Sequence, residues 1–240
     1  MKSEKLTHTS EPTRRRRYDD ACATAHALDL VGDRWALLVM RELMLGARRF
    51  GDLRANLPGI SANVLTQRLE DLEASSIVVR RKLPPPASVQ VYELTEWGRE
   101  SEPIFQALGR WAARSPAHDP TLPFSATSLM LSMRTMLDVD RARGVDAWIR
   151  FDLGGERYLT HLHDGRLDIV EATSPAPDLV MAGEPRVVAG AIYGGQPLAS
   201  LEAAGVLRIE GDRALAERYI TLFPLPPKAD VTVPELRVPR

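Results

Sequence analysis

The chain has 240 residues but one cysteine, Cys22, and only 6% aromatic residues. A lone thiol cannot close an intramolecular disulfide, so a reducing, cytoplasmic compartment is expected. No apolar run approaches the roughly 20 residues of a membrane-spanning helix, so no membrane partner is expected. The polar start has no apolar stretch behind it of the kind a secretory leader uses. A net charge of −1 excludes a protein that coats nucleic acid by bulk charge. Catalytic signatures are missing too: there is no GxSxG, P-loop or HExxH. Gly194-Gly195 is too short a glycine run to cradle a phosphate. His161 and His163 alternate on a strand pattern and so share a face, yet no Cys and no third ligand at the usual spacing joins them. Neither an enzyme, nor a metal site, nor a cofactor is expected.

What is present is organised around Arg48 to Lys82. Phe50, Leu53 and Leu57 recur at spacings of three and four, one face of a short helix. Pro58-Gly59 ends it, and Ser61 is placed to cap the next. There Leu65, Leu69 and Leu72 form a buried stripe, leaving Asn63, Thr66, Gln67 and Glu70 on the opposite face. A polar-faced second helix before a Val-Val-Arg-Arg-Lys strand suits a DNA-recognition helix followed by a wing. Charge divides weakly, with residues 1–119 at +2 and residues 120–240 at −3. Local placement of basic groups must therefore carry any DNA contact.

Taken in order, residues 1–17 are a polar leader ending in Arg14 to Arg17, either a solvated charge run or a basic arm for phosphate. Asp19 to Val31 and Arg34 to Leu45 predict two helices, broken at Gly32 and closed at Gly46. Strands are predicted over Ile77 to Lys82 and Val89 to Leu94, with the proline-rich loop 83–88 at the wing tip. Thr95 caps a helix reaching toward Arg114, with a kink or break at Pro103, which lies too far inside for a first-turn proline. Ile104, Leu108 and Trp111 form an apolar stripe that either packs on the domain's own core or makes a dimer interface.

The segments ALDLVGDRWALLVMREL (27–43), RRFGDLRANLPGISANVLTQRLEDLE (48–73), VYELTEWGRE (91–100) and ALGRW (107–111) resemble the HxlR-type winged helix-turn-helix regulators, relatives of the MarR group. The resemblance implies a cytoplasmic bacterial regulator that binds double-stranded DNA as a homodimer. It places Ser61, Asn63, Thr66, Gln67 and Arg68 at the major groove or its flanking phosphates. It also brings Arg80, Arg81 and Lys82 of the wing to the backbone, and Arg48 and Arg49 are further candidate DNA contacts. The chemistry agrees: Asn and Gln pair well with adenine, Arg with guanine or phosphate. Glu70 and Asp71 depart from a basic face and are expected to turn away from phosphate, toward nearby arginines. Cys22, at a helix start where some relatives sense oxidants, is either a redox thiol or a buried structural residue. The two aspartates before it oppose a thiolate.

Three prolines in 116–123 mark a linker. Beyond it, a helix is predicted over Ser125 to Arg143, then strands over Ala147–Leu153, Arg157–His163, Arg166–Ala172 and Asp178–Ala182. Gly154-Gly155 and Asp164-Gly165 read as hairpin turns. Helices near Pro185–Ile192, Leu198–Ala203 and Asp212–Leu222 surround a last strand, Val206–Glu210. This is an α+β layer. DLVMAGEPRVVAGAIYGG (178–195) and LASLEAAGVLRIEGDRALAERYITLFP (198–224) resemble the sterol-carrier-protein-like lipid-binding fold, which implies an apolar cavity between sheet and helices. Met130, Met133, Met136, Leu137, Trp148 and Phe151 are the candidate lining, although a Met stripe at helical spacing also suits plain core.

The fold class expected is α+β, an N-terminal winged helix-turn-helix domain (18–115) and a C-terminal sterol-carrier-like domain (124–226), with a tail at 227–240. The function expected is a homodimeric transcriptional regulator of a palindromic operator, with an apolar small-molecule effector in the second domain. The alternatives are a lipid carrier whose winged helix is an interaction module, and a purely structural second domain.

Overall fold

The computed structural model describes residues 18–170 and 175–230. The basic leader, the far end of the strand expected to reach Ala172 and most of the tail lie outside them. Helix α1 (Ala23–Val31) starts later than Asp19. The Asp20 carboxylate accepts the Cys22 N–H at 2.8 Å, a local bond that competes with helical pairing. Helix α2 (Ala36–Leu43) likewise starts after Trp35, whose φ of 80° is left-handed and cannot continue a helix. Helices α3 (Phe50–Asn56) and α4 (Ala62–Ala74) flank the turn at Pro58-Gly59. Ile60 N–H bonds to Leu57 O at 3.1 Å across that turn, and Gly59 takes φ 92°, a conformation nearly reserved for glycine.

Strands β1 (Val78–Lys82) and β2 (Gln90–Leu94) pair antiparallel, Val78 opposite Leu94 and Lys82 opposite Gln90. The long helix expected after Thr95 is two, α5 (Glu96–Arg99) and α6 (Glu102–Ala113). The break falls before Pro103, which does occupy the first turn of α6, where its missing N–H costs nothing. Val39, Leu43, Leu53, Leu57, Leu65, Leu69, Leu72 and Leu94 make the core of this unit.

The second unit begins with α7 (Ala126–Met136), capped by the Ser125 hydroxyl. It ends seven residues before the expected Arg143. Leu137 turns to ψ 124°, and the Asp138 carboxylate takes the N–H groups of Asp140 and Arg141 at 3.0 and 3.1 Å. Among the described residues five strands follow: β3 (Ala147–Leu153), β4 (Glu156–His163), β5 (Arg166–Val170), β6 (Leu179–Gly183) and β7 (Leu207–Gly211). Their order is β5-β4-β3-β6-β7. Only β3 and β6 run parallel, joined at Ile149 opposite Leu179. Both expected hairpin turns form, with positive φ at Gly154, Gly155, Asp164 and Gly165, as type I′ geometry demands. Helices α8 (Pro185–Tyr193), α9 (Leu198–Ala203) and α10 (Arg213–Tyr219) complete the α+β layer.

The two units share α7. Leu129, Met130 and Met133 belong to the second core, while Leu131 belongs to the first. A helix apolar on most of its circumference is a buried helix, and here it is buried because a domain lies on each side. Met130, Met133, Met136 and Phe151 are core residues. The rings of Phe151 and Tyr219 lie 5.9 Å apart, and the Tyr219 hydroxyl lies 4.0 Å from the Met133 sulfur. Trp148 corrects the expectation outright. Along β3, Ala147, Ile149, Phe151 and Leu153 face inward while Trp148 faces out, since successive residues alternate. Its indole stacks on His161 at 4.1 Å. Leu137, half-buried at the end of α7, packs against the same core.

One shared helix predicts one transition. Leu131→Ala is expected to lower stability by about 2–5 kcal/mol. Urea unfolding followed by far-ultraviolet circular dichroism and by tryptophan fluorescence should remain a single, coincident transition.

Candidate nucleic-acid interface

Helix α4 is held by its apolar stripe and presents a polar face. Leu65, Leu69 and Leu72 are buried, and Ser61 Oγ accepts the Val64 N–H at 3.3 Å. Asn63, Thr66, Gln67 and Glu70 are exposed, as the spacing required. Gln67 donates to the Asp71 carboxylate at 3.1 Å, an intrahelical bond on the surface that a base edge can replace. Among the described residues Asn63, Thr66 and Glu70 have no side-chain partner, so Glu70 does not pair with an arginine as expected. Asp71 does, with Arg68 at 3.3 Å.

Arg68 points elsewhere than the groove. Its side chain is only 17% exposed and is held between Asp71 and Asp33, the latter just before α2. Those pairs tie the recognition-like helix to the α1–α2 connection, so Arg68 positions α4 rather than lying free on its polar face. Arg48 is a second departure. Its backbone bridges to Tyr92, at 2.9 and 2.8 Å, which places it under the wing. Its guanidinium reaches the second unit, meeting Glu156 at 2.5 Å, the Tyr158 hydroxyl at 2.7 Å and Thr127 at 3.0 Å.

Arg49, by contrast, is exposed at the N-terminus of α3 and has no side-chain partner among the described residues. The wing is basic and lightly restrained. Arg80 lies 3.7 Å from Glu73, Arg81 3.3 Å from Glu93, and Lys82 has no ion pair among the described residues. Exposed pairs of this kind contribute about 0–1 kcal/mol, so a phosphate can displace them at little cost. Ser61, Asn63, Thr66 and Gln67 thus offer hydrogen-bonding groups, with Arg49, Arg80, Arg81 and Lys82 as cations at the helix-turn-helix and wing.

The seam between the units is polar, and sequence reasoning missed it. The buried Glu42 carboxylate accepts from Arg41 at 2.8 Å and from Ser125 at 2.8 Å. Arg134 of α7 pairs with Glu102 of α6. Burial pushes the Tyr158 phenol up to about 12, so its hydroxyl stays protonated and donates to Glu156 at 2.7 Å. Asn56, the last residue of α3, donates to the same carboxylate at 3.3 Å. Lys228 from the tail caps α6, donating to the carbonyls of Ala113 and Ser115 at 3.1 and 3.0 Å.

Cys22 is exposed, which overturns the buried structural reading. Bonds from the Thr24 N–H, the Thr24 hydroxyl and the Ala25 N–H lower its thiol pKa. His161 and His163 do share a face, stacked at 4.2 Å. Their ring nitrogens meet carboxylates, His161 with Asp146 at 2.7 Å and His163 with Asp168 at 2.9 Å. Asp168 and Asp164 raise the His163 pKa. No His/Cys/Asp/Glu cluster that could hold a metal occurs among the described residues.

The split between Arg68 and its exposed neighbours is measurable. Arg68→Met should lower the unfolding free energy in urea by about 1–3 kcal/mol. Asn63→Ala, on the open face of the same helix, should change it by less than about 0.5 kcal/mol.

Residues 30–119 match the HxlR-like helix-turn-helix family, and residues 132–224 match the SCP-2 sterol transfer family. The HTH-type transcriptional regulator YodB of Bacillus subtilis is 38% identical over 86 residues, 36% of this chain and 77% of that protein. An uncharacterized HTH-type regulator of Synechocystis, sll1512, is 41% identical over 87 residues. The match covers 36% of this chain and 64% of that protein's length, a little under two thirds. The solved reduced form of YodB is 34% identical, covering 42% of this chain and all of that one, with a TM-score of 0.37. With its polar-faced α4 and basic wing, the chain belongs to the HxlR-like helix-turn-helix family of transcriptional regulators, and its C-terminal region matches the SCP-2 sterol transfer family.

Proposed function

We propose that the chain regulates transcription by binding a palindromic duplex operator as a homodimer, under control of a small molecule received by the SCP-2 unit. The observation that carries the DNA reading is the exposed row Asn63, Thr66 and Gln67 on a helix anchored by Leu65, Leu69 and Arg68. Amide side chains fixed on a rigid helix read adenine through paired hydrogen bonds, and Ser61 lies at the leading end of that helix. Arg49, Arg80, Arg81 and Lys82 supply the sequence-independent attraction to phosphate.

The dimer reading rests on α6. Ile104, Leu108 and Trp111 are exposed, Trp111 by 75%, so the stripe does not pack on its own core. Leu28 of α1 and Trp97 of α5 are exposed as well. Apolar surface of this kind marks an interaction face, and a two-fold dimer places two recognition helices on successive half-sites. The one thiol, Cys22, is open to solvent with a lowered pKa, which suits a reaction with oxidants or electrophiles.

Selection of binding sites from random duplex DNA tests the reading. Enrichment of a palindrome with half-sites about one helical turn apart is expected; recovery of no sequence would favour a carrier whose winged helix binds protein. On the selected operator, Asn63→Ala and Gln67→Ala should each cost about 1–3 kcal/mol against it, relaxing base preference. Lys82→Gln should weaken every sequence alike and reduce the salt slope of the affinity by about one. Trp111→Glu should shift the protein to monomer in sedimentation equilibrium and remove tight operator binding.

A further inference from the structure

Helix α4 carries three acidic residues, Glu70, Asp71 and Glu73, and they stand in different surroundings. Asp71 is paired with Arg68 at 3.3 Å, and Glu73 lies 3.7 Å from Arg80 of the wing. Arg81, next along β1, meets Glu93 at 3.3 Å. Glu70 is exposed and has no side-chain partner among the described residues. With about 3.6 residues per turn, Asn63, Gln67 and Glu70 fall on the side of the helix opposite Leu65, Leu69 and Leu72. Among the described residues, the one acid of α4 without an arginine thus stands on its outward row, in line with both amide side chains. Thr66, Gln67 and Glu70 follow Asn63 at three, four and seven residues. A helix lying in the major groove presents side chains to bases at those spacings. A carboxylate there is repelled by phosphate, and no contact within the described fold holds it in place.

We propose that Glu70 is a specificity-determining residue that accepts a hydrogen bond from the exocyclic amine of a cytosine. The inference rests on the reading of α4 as the recognition helix and names one base of the operator. The major-groove edges of the four bases select cytosine by elimination. Guanine shows two acceptors, N7 and O6, and thymine an acceptor, O4, beside a methyl group, so neither offers a carboxylate a donor. Adenine sets its N6 amine beside the N7 acceptor, which opposes the same carboxylate. Cytosine presents its N4 amine alone, and glutamate accepts from it. Facing any other base, the carboxylate loses water without gaining a donor. Glu70 therefore acts by penalty as well as by contact, which raises discrimination more than affinity. It lies about 4.5 Å beyond Gln67 along the helix axis, little more than one base step of about 3.4 Å. The cytosine thus falls one or two base pairs from the pair that Gln67 meets.

The test is binding-site selection from random duplex DNA with the full-length protein, Glu70→Ala, Glu70→Gln and Gln67→Ala, followed by titration of the selected duplexes. Their circular dichroism should match, since both side chains are exposed. The wild type should enrich a C·G pair one or two positions from the pair whose preference Gln67→Ala abolishes. Replacing that cytosine by pyrimidin-2-one, which lacks the amine, should weaken the wild type about tenfold. The same replacement should change Glu70→Ala by less than about twofold. Glu70→Gln should move the preferred base from cytosine to adenine, whose N6 and N7 an amide pairs. Glu70→Ala should also bind unrelated duplex more tightly, because a charge repelled by phosphate is gone. Uniform tightening of every duplex by Glu70→Ala, with base preferences intact, would overturn the proposal and leave Glu70 a solvated charge. An operator that depends on Gln67 but is indifferent to Glu70 and to the amine would overturn this assignment alone. Enrichment of no sequence by the wild type would overturn the regulator reading beneath it.

Discussion

Everything in this structure depends on the burial of α7 from both sides. A helix with Leu131 in one core and Leu129, Met130 and Met133 in the other cannot be exposed on either flank without large apolar loss. The proline-bearing connection at 116–123 therefore joins two docked units. Docking α7 also buries polar atoms, and each must find a partner. Thr127 lies 3.2 Å from the Tyr158 hydroxyl, Thr135 bonds the Leu131 carbonyl at 2.7 Å, and Ser125 reaches Glu42. Of these the Ser125–Glu42 bond crosses between the units, and with the Arg48 bonds to Thr127 and Tyr158 it has a direction that apolar contact lacks, which fixes how the two units sit against each other.

The same logic sorts the arginines. Arg48 and Arg68 lie in partly buried positions where carboxylates hold them, Glu156 for one and Asp33 with Asp71 for the other. They fix the angle of α4 and the position of the wing's base. Arg49, Arg80 and Arg81 sit at the surface, where ion pairs contribute little and partners exchange freely. Anchored and surface guanidinium groups thus draw on the same residue type, and burial separates them.

Among the contacts between the second unit and the helix-turn-helix are those of Glu156 with Arg48 and Asn56. Asn56 ends α3, and the turn closed by Ile60 and Leu57 leads directly into α4. Glu156 therefore ties the second unit to the end of α3, just before the turn into α4.

The sequence by itself determined the elements and the faces they show. Leucine spacing located α3 and α4, glycine pairs located the hairpins, and the polar face of α4 followed from its buried stripe, because these signals act over a few neighbouring residues. Strand alternation also held the information that Trp148 and Phe151, three apart, face opposite ways, although grouping them as one lining set ignored it. The start of α1 was misread because an Asp20 side-chain bond to the Cys22 N–H outcompetes a helical turn there. Only the tertiary structure decided which arginines remain at the surface. Arg48 meets Tyr158, 110 positions away, and no local pattern encodes a partner at that distance. It decided too that the methionines of α7 fill a core. Their spacing is the same whether a helix faces a cavity or a packed layer, and only the residues opposite, Phe151 and Tyr219 among them, make the difference.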